Sequence, residues 1–153
     1  MFPAVGEHRP VSSALLPLAV HTGHQRASLG KGTIMGIWVR TPELAGSETV
    51  LWSRTANRTQ SERRAVGGRL FLTQSRLIFE PSRFDGAFGG DRWWAPLSSI
   101  RKVGSQLPDG RATAGGLRTR LRLDLADGAV ELFVVNRLDD VIQVIGQAAV
   151  RPG

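Results

Sequence analysis

From Leu117 to Leu125 the side chains alternate. Leu117, Leu121, Leu123 and Leu125 fall on one face, and Arg118, Arg120 and Arg122 fall on the other. A period of two marks a half-buried β-strand and excludes a helix. Asp127-Gly128 follows directly, a two-residue hairpin signal, because glycine takes the positive φ that such a turn requires. That turn pairs Leu125 with Val130, Leu123 with Leu132 and Leu121 with Val134, all on the apolar face. On the polar face it sets Asp124 opposite Glu131, a like-charge pair that Arg122 offsets.

The rest of the chain from Thr49 follows the same plan of short strands between turn signals. Thr49–Thr55 is rich in β-formers. Arg69–Thr73 follows the Gly67-Gly68 pair, and a tight Gln74-Ser75 connection joins it to Arg76–Glu80. Ser82 to Gly90 reads as a glycine-rich loop. Arg92–Leu97 reads as an edge strand, since Pro96 cannot donate to a ladder. Ile100–Val103 is a short strand, and residues 104–116 form a loop. The chain closes on a helix from about Arg137 to Val150, with Asn136 as N-cap and Asp139 and Asp140 in the first turn. Leu138, Val141, Ile142, Ile145 and Ala149 make its apolar stripe. This predicts a mainly β domain: a β-sandwich or partly open barrel of about seven antiparallel strands with one C-terminal amphipathic helix.

Residues 1–35 differ. They hold all three histidines (His8, His21, His24), scattered prolines and no clear period. They read as a disordered tail, or as residues ahead of a true start at Met35, and the domain is placed at residues 36–153. The chain has no cysteine, so disulfides and thiolate metal sites are excluded. No apolar run approaches the ~20 residues of a spanning helix.

The expectation is of a non-catalytic module without cofactor or metal. Residues 36–153 contain no His, Cys or Tyr, leaving Lys102 and the carboxylates as the only proton-transfer groups. The acids lie in turns or beside arginines, which keep them ionised. The pair His21-x-x-His24 lacks further ligands. Gly30-Lys31-Gly32 lacks phosphate-loop spacing.

Several motifs resemble the GRAM domain branch of the pleckstrin-homology-like (PH-like) fold. The run Gly68-Arg69-Leu70-Phe71-Leu72-Thr73 is followed by Arg76-Leu77-Ile78-Phe79, then by Ala95-Pro96-Leu97-Ser98-Ser99-Ile100 and Val103. The likeness covers roughly residues 47–150. It implies a strongly bent antiparallel sandwich whose open end is plugged by the C-terminal helix. It also implies membrane or phosphoinositide association, or protein binding, in a cytoplasmic and peripheral setting. In such domains the first inter-strand loop commonly holds anionic headgroups, which nominates Arg58, Arg63, Arg64 and Arg69.

The formal charge of +7, almost all of it arginine, favours anionic partners and also fits a GC-rich, bacterial-like composition. Four basic residues at an anionic surface supply only about 4 kcal/mol, near-millimolar binding. A second anchor is therefore needed. Arg83, Phe84 and Phe88 are candidates for membrane contact, either as an interfacial wedge or folded back on their own loop. Trp93 and Trp94 point to opposite faces. Trp94, the Arg118, Arg120 and Arg122 stripe, and the outer face around Phe133 and Val135 are the candidate partner surface. For the stripe, plain alternation with Arg122 stacked on Phe133 stands beside that reading. Nucleic acid is not expected, because no basic helix face or sheet of stacking aromatics is present.

Overall fold

The computed structural model describes residues 39–150. The expectations for residues 1–35, including the histidines, lie outside that range. Seven strands form one antiparallel sheet: β1 (Val50–Ser61), β2 (Arg64–Thr73), β3 (Arg76–Pro81), β4 (Trp93–Pro96), β5 (Ile100–Gln106), β6 (Arg120–Leu125) and β7 (Val130–Val135). A short helix α1 (Arg83–Ala87) lies between β3 and β4, and α2 (Leu138–Val150) ends the domain. The strand order is β4-β3-β2-β1-β7-β6-β5, so β4 and β5 are edges and the barrel is open. β1 joins the two halves by pairing Ala56, Asn57 and Arg58 with Val135, Val134 and Phe133.

The inner face carries the core. Ala56, Leu70, Phe79, Leu123 and Phe133 pack there with Val141 and Ile145 of α2. The helix lies against β5, β6 and the 3-10 turn Leu97–Ser99 that precedes β5. Phe133 sits between Phe79 and Trp93, with ring centroids 5.8 and 5.5 Å away. Each such side chain contributes roughly 1.5–3 kcal/mol by leaving water. The Gln74-Ser75 connection pairs Leu72 with Leu77 as expected. β2 and β3 are buried on both faces, since Phe71 and Ile78 on the outer face are also covered. Their sequences accordingly read as nearly continuous apolar runs.

The β6–β7 hairpin corrects the predicted register. The loop has three residues, not two: Leu125 N–H donates to the Ala129 carbonyl at 2.9 Å, and Gly128 takes φ +86°. The pairs are Leu121 with Phe133, Leu123 with Glu131, and Asp124 with Val130. A slip of one residue turns the whole strand over. Phe133 and Val135 therefore face inward, and the Asp124–Glu131 clash does not arise. Val134 faces outward beneath residues 107–119, where a Cβ on Gly115 would come within 2.6 Å of its Cγ2.

Other boundaries also move. β1 extends to Ser61, so Arg58 lies in a strand and not in the first loop. β6 begins at Arg120, leaving Leu117 and Arg118 exposed outside it. Helix α2 begins one residue late. Val141 N–H donates to the Arg137 carbonyl at 3.2 Å, and Arg137 at φ +55° occupies the cap expected of Asn136.

Residues ahead of β1 are tied to the β2–β3 turn by Glu48. Its carboxylate accepts from Arg76 Nη2 (2.7 Å), Arg76 Nε (2.9 Å), Thr73 Oγ1 (2.6 Å) and Ser75 Oγ (3.0 Å). The Arg76 guanidinium first, with help from these hydroxyls, holds the Glu48 carboxyl well below the usual carboxylate range. A lowered folded-state pKa adds stability above the unfolded pKa, and that stability is lost as pH falls. Wild-type stability should thus drop more steeply than that of Glu48→Gln between about pH 4 and pH 2 in pH-dependent urea unfolding. Parallel curves would show that Glu48 does not anchor this segment.

Gly67 and Gly68 lie within β2, not before it. A Cβ on Gly68 would strike the Glu80 carbonyl oxygen and sit 2.8 Å from Phe79 Cζ. Gly68→Ala should cost about 1–3 kcal/mol in denaturant unfolding through overpacking. An unchanged midpoint would refute the close approach of β2 and β3.

Candidate functional site

Helix α1 is built by its own sequence. Ser82 Oγ accepts the Asp85 N–H at 3.1 Å, an N-cap bond, and donates to Asp85 Oδ2 at 2.8 Å. Asp85 Oδ2 also accepts the Gly67 N–H at 3.2 Å, and Ser82 N–H donates to the Gly67 carbonyl at 2.8 Å. The helix is thereby clamped to β2, and the absence of a side chain on Gly67 lets Asp85 approach. Gly90 N–H closes the turn on the Asp85 carbonyl at 2.7 Å, with Gly89 at φ +82°. The stretch read as a loop is an ordered projection, and Ser82-x-x-Asp85 is the local signal that marks it.

Two aromatic rings stand on this projection. Phe84 and Phe88 pack against each other in a tilted arrangement with centroids 4.8 Å apart, yet remain 71% and 64% exposed. They cover one another and no core residue. Arg83 precedes them and is exposed.

The β1–β2 turn is held beside α1. Gln60 Nε2 donates to the Gly89 carbonyl and to Asp91 Oδ2, both at 3.1 Å, and Gln60 Oε1 accepts the Asp91 N–H at 3.1 Å. Arg64 reaches the same place, since a Cβ on Gly89 would lie 3.6 Å from its Nη1. Arg63 is exposed at the tip of the turn. Among the described residues no carboxylate pairs with Arg63, Arg64 or Arg83 within 4 Å. One end of the molecule thus presents three cations and two aromatic rings.

The other nominated arginines are elsewhere. Arg58 points into the mouth of the barrel, where Nε and Nη2 donate to Glu131 at 2.8 and 3.1 Å. Its guanidinium also lies 5.7 Å from the Trp93 ring centre. Both side chains of the pair are only 14% exposed, so this charge is spent on the fold. Arg69 lies half-buried on the outer face of β2, with Nη1 3.4 Å from Ser53 Oγ.

The expected partner surface is broken up. Phe133 is fully buried and Val135 nearly so, because the register turns them inward. Arg122 is therefore on the opposite face from Phe133 and does not stack on it. It donates instead to Asp124 at 2.8 and 3.0 Å and to Gln106 at 2.9 Å. Arg120 is buried, with Nη2 on Asp109 Oδ2 at 2.8 Å. Arg118 is exposed outside the strand, so the three do not form one cationic stripe. Trp94 is 53% exposed on edge strand β4, with the Arg76 guanidinium 5.5 Å from its ring centre.

A cleft of about 360 Å³ opens on the outer flank of α1, lined by Arg40, Glu80, Arg83, Gly86, Gly90 and Arg92 among others. Glu80 lies in its floor, nearly fully buried. Arg92 Nε is 2.8 Å from Glu80 Oε1, but that oxygen has no well-aligned hydrogen bond. Burial pushes the Glu80 carboxyl above its usual range, against the pull of Arg92. No sequence signal marks this cleft, because its residues meet only through the fold.

Seven antiparallel strands in this order, with one C-terminal helix, define a mainly β domain of the PH-like fold. The chain resembles the C-terminal domain of an unknown protein from Leishmania infantum, with a TM-score of 0.51 and 11% identity over 68% of this chain and 86% of that one. It also resembles the Vps36 N-terminal PH domain (TM-score 0.48, 20% identity, 71% and 83% covered). A third likeness is to the hSac2 domain from human phosphoinositide phosphatase Sac2 (0.48, 13%, 69% and 70%). The first is a likeness of fold alone. No family model matches the chain, and no curated protein matches it.

Arg58→Ala leaves Glu131 buried without its partner and should cost about 3 kcal/mol of stability. Urea unfolding measures it, and a loss below about 0.5 kcal/mol would place Arg58 in solvent as a free ligand.

Proposed function

We propose that this chain is a non-catalytic binding module, GRAM-like within the PH-like fold, that docks on anionic membrane surfaces through the α1 end. The observation that carries this reading is the mutually packed and exposed Phe84–Phe88 pair beside Arg63, Arg64 and Arg83. Two solvent-exposed phenyl rings on an ordered helix have no role in the core, and cations placed beside them suit the headgroup layer of a bilayer.

The magnitudes favour this arrangement. Three arginines supply about 3 kcal/mol. Two partly inserted rings add about 3 kcal/mol more. The total of about 6 kcal/mol corresponds to binding in the tens of micromolar, where the arginines alone fall short of millimolar. This module works as a peripheral, cytoplasmic adaptor whose residence is strengthened by a second anchor or by self-association. Among the described residues, no helix is long and apolar enough to cross a membrane. The absence of His, Cys and Tyr from residues 36–153 supports a binding role over catalysis. A second reading, protein binding by strand addition at β4, draws support from the exposure of Trp94 on that edge.

Vesicle flotation tests the first reading. Phe84→Ala/Phe88→Ala should weaken binding to phosphatidylserine-containing vesicles roughly 100-fold. Arg63→Glu/Arg64→Glu should weaken it mainly at low salt. Wild-type protein that stays unbound at low salt would eliminate the membrane reading and leave the β4 edge as the interaction surface.

A further inference from the structure

We propose that Glu80 is an acid sensor for the α1 end: when it takes up a proton, that end gains one positive charge and holds an anionic membrane more tightly. The inference rests on the membrane reading above and gives that surface a regulation.

Glu80 lies on β3 opposite Arg69 of β2. It is only 2% exposed, yet it lines the cleft beside α1, which gives a proton a path from solvent. Arg92 Nε is 2.8 Å from its Oε1, but no well-aligned hydrogen bond reaches that oxygen. A carboxylate taken out of water with its hydrogen bonding incomplete is disfavoured in its charged form. Burial accordingly pushes this carboxyl above its usual range, against the pull of Arg92. Other acids go the opposite way: Glu48 is lowered by Arg76, Asp109 by the Arg111 N–H and Arg120, and Asp124 by Arg122. Residues 39–150 contain no histidine, the usual group for a response in mild acid. Glu80 takes that place in the domain.

The charged groups around Glu80 come from every neighbouring element. Arg69 faces it from β2, and Arg92 approaches from the chain leading into β4. Arg40 and Glu43 belong to the segment that the Val39–Ser82 bridge lays against the end of β3. Arg83 lines the same cleft from the start of α1. Asp85 of α1 is turned away to Ser82 and Gly67. Four arginines against Glu80 and Glu43 leave the group at +2, and at +3 once Glu80 is neutral. Protonation also loosens Arg92, which is 42% exposed and otherwise has only Glu43, 3.6 Å away and 88% exposed. An exposed pair of that kind holds an arginine weakly. Arg83 ties this charge to the membrane-facing tip, because it both lines the cleft and precedes Phe84.

The test uses the full chain with His8, His21 and His24 changed to Gln, so that no histidine titrates. Flotation is read at pH 7 and pH 5 on phosphatidylcholine vesicles containing phosphatidylglycerol, whose charge is constant over that range. Ordinary carboxylates, with pKa values near 4, stay mostly ionised there. The parent should bind about fivefold more tightly at pH 5, the effect of one added cation at an anionic surface. Glu80→Gln should bind at pH 7 as the parent does at pH 5, with a pH ratio near one. A merely structural role would shift both affinities together and keep the parent's ratio, and that result would overturn the sensor. Phe84→Ala/Phe88→Ala should weaken binding at both pH values and keep the ratio. A carboxyl-carbon NMR titration of the unsubstituted chain reads the same group directly. Glu80 should titrate at higher pH than exposed Glu62, and the Arg92 Nε–H signal should move with it. Titration of Glu80 together with Glu62 would overturn the inference even if Glu80→Gln does not fold. Equal binding at both pH values would overturn the sensor and leave the membrane reading standing, whereas no binding at either would remove both.

Discussion

Phe133 joins parts of the sheet that are far apart in strand order. Its ring lies 5.8 Å from Phe79 on β3 and 5.5 Å from Trp93 on β4, although β7 is three strands from β3 and four from β4. Such contacts require the sheet to bend until its inner faces meet, and offset aromatic packing stabilises the bend beyond area alone. Arg58 then closes the mouth over Trp93 and is neutralised by Glu131. The interior is filled from α2 to the rim. A ligand must therefore be met by the loops at the rim or by the outer surface.

What the sequence disclosed follows how far each signal reaches along the chain. The period of two, the Gln74-Ser75 turn, the Pro96 edge and the apolar stripe of α2 are local, and each has its counterpart in the structure. The β6–β7 register was not legible, because Asp127-Gly128 serves a two-residue turn and a three-residue loop equally well. In the longer loop Gly128 supplies a positive φ after Ala126 and Asp127. The error of one residue reversed the faces of β7 and with them the expected place of Phe133. Arg58 and Glu131 are 73 residues apart, so no local pattern announces that they pair. The far end of β1 carries no local signal, because past Ala56 it holds Arg58 and Gln60, polar side chains whose partners, Glu131, Gly89 and Asp91, are distant in sequence.

The positive charge that the composition shows as a single number is distributed unevenly. Arg58, Arg76, Arg92, Arg120 and Arg122 all have carboxylates within 3 Å. These pairs bind strands and loops together, and they take those arginines out of the account of what the surface attracts. Arg63, Arg64 and Arg83 are among the arginines with no such partner among the described residues, and these three stand together at one end. Net charge alone would favour nucleic acid and membrane alike. Localised charge beside two exposed rings supports the proposed membrane reading, since base recognition asks for stacking platforms along a groove and a bilayer asks for a compact apolar tip with a basic rim.

In the proposed membrane role, the clamp beneath α1 sets the cost of presenting that tip. A flexible glycine loop would have to order itself on the membrane, at a cost of about 0.5–1.5 kcal/mol for each immobilised side chain. Here Ser82, Asp85 and the Gly67 backbone fix the helix to β2 before any membrane is met, and Gln60 ties the neighbouring turn to Gly89 and Asp91. The ordering is done during folding, so under the proposed function more of the insertion energy of Phe84 and Phe88 would remain for binding. The same clamp keeps the rings apart from the core. Neither ring contributes to the cluster around Phe133, so substitutions at this tip leave the packing of the interior in place.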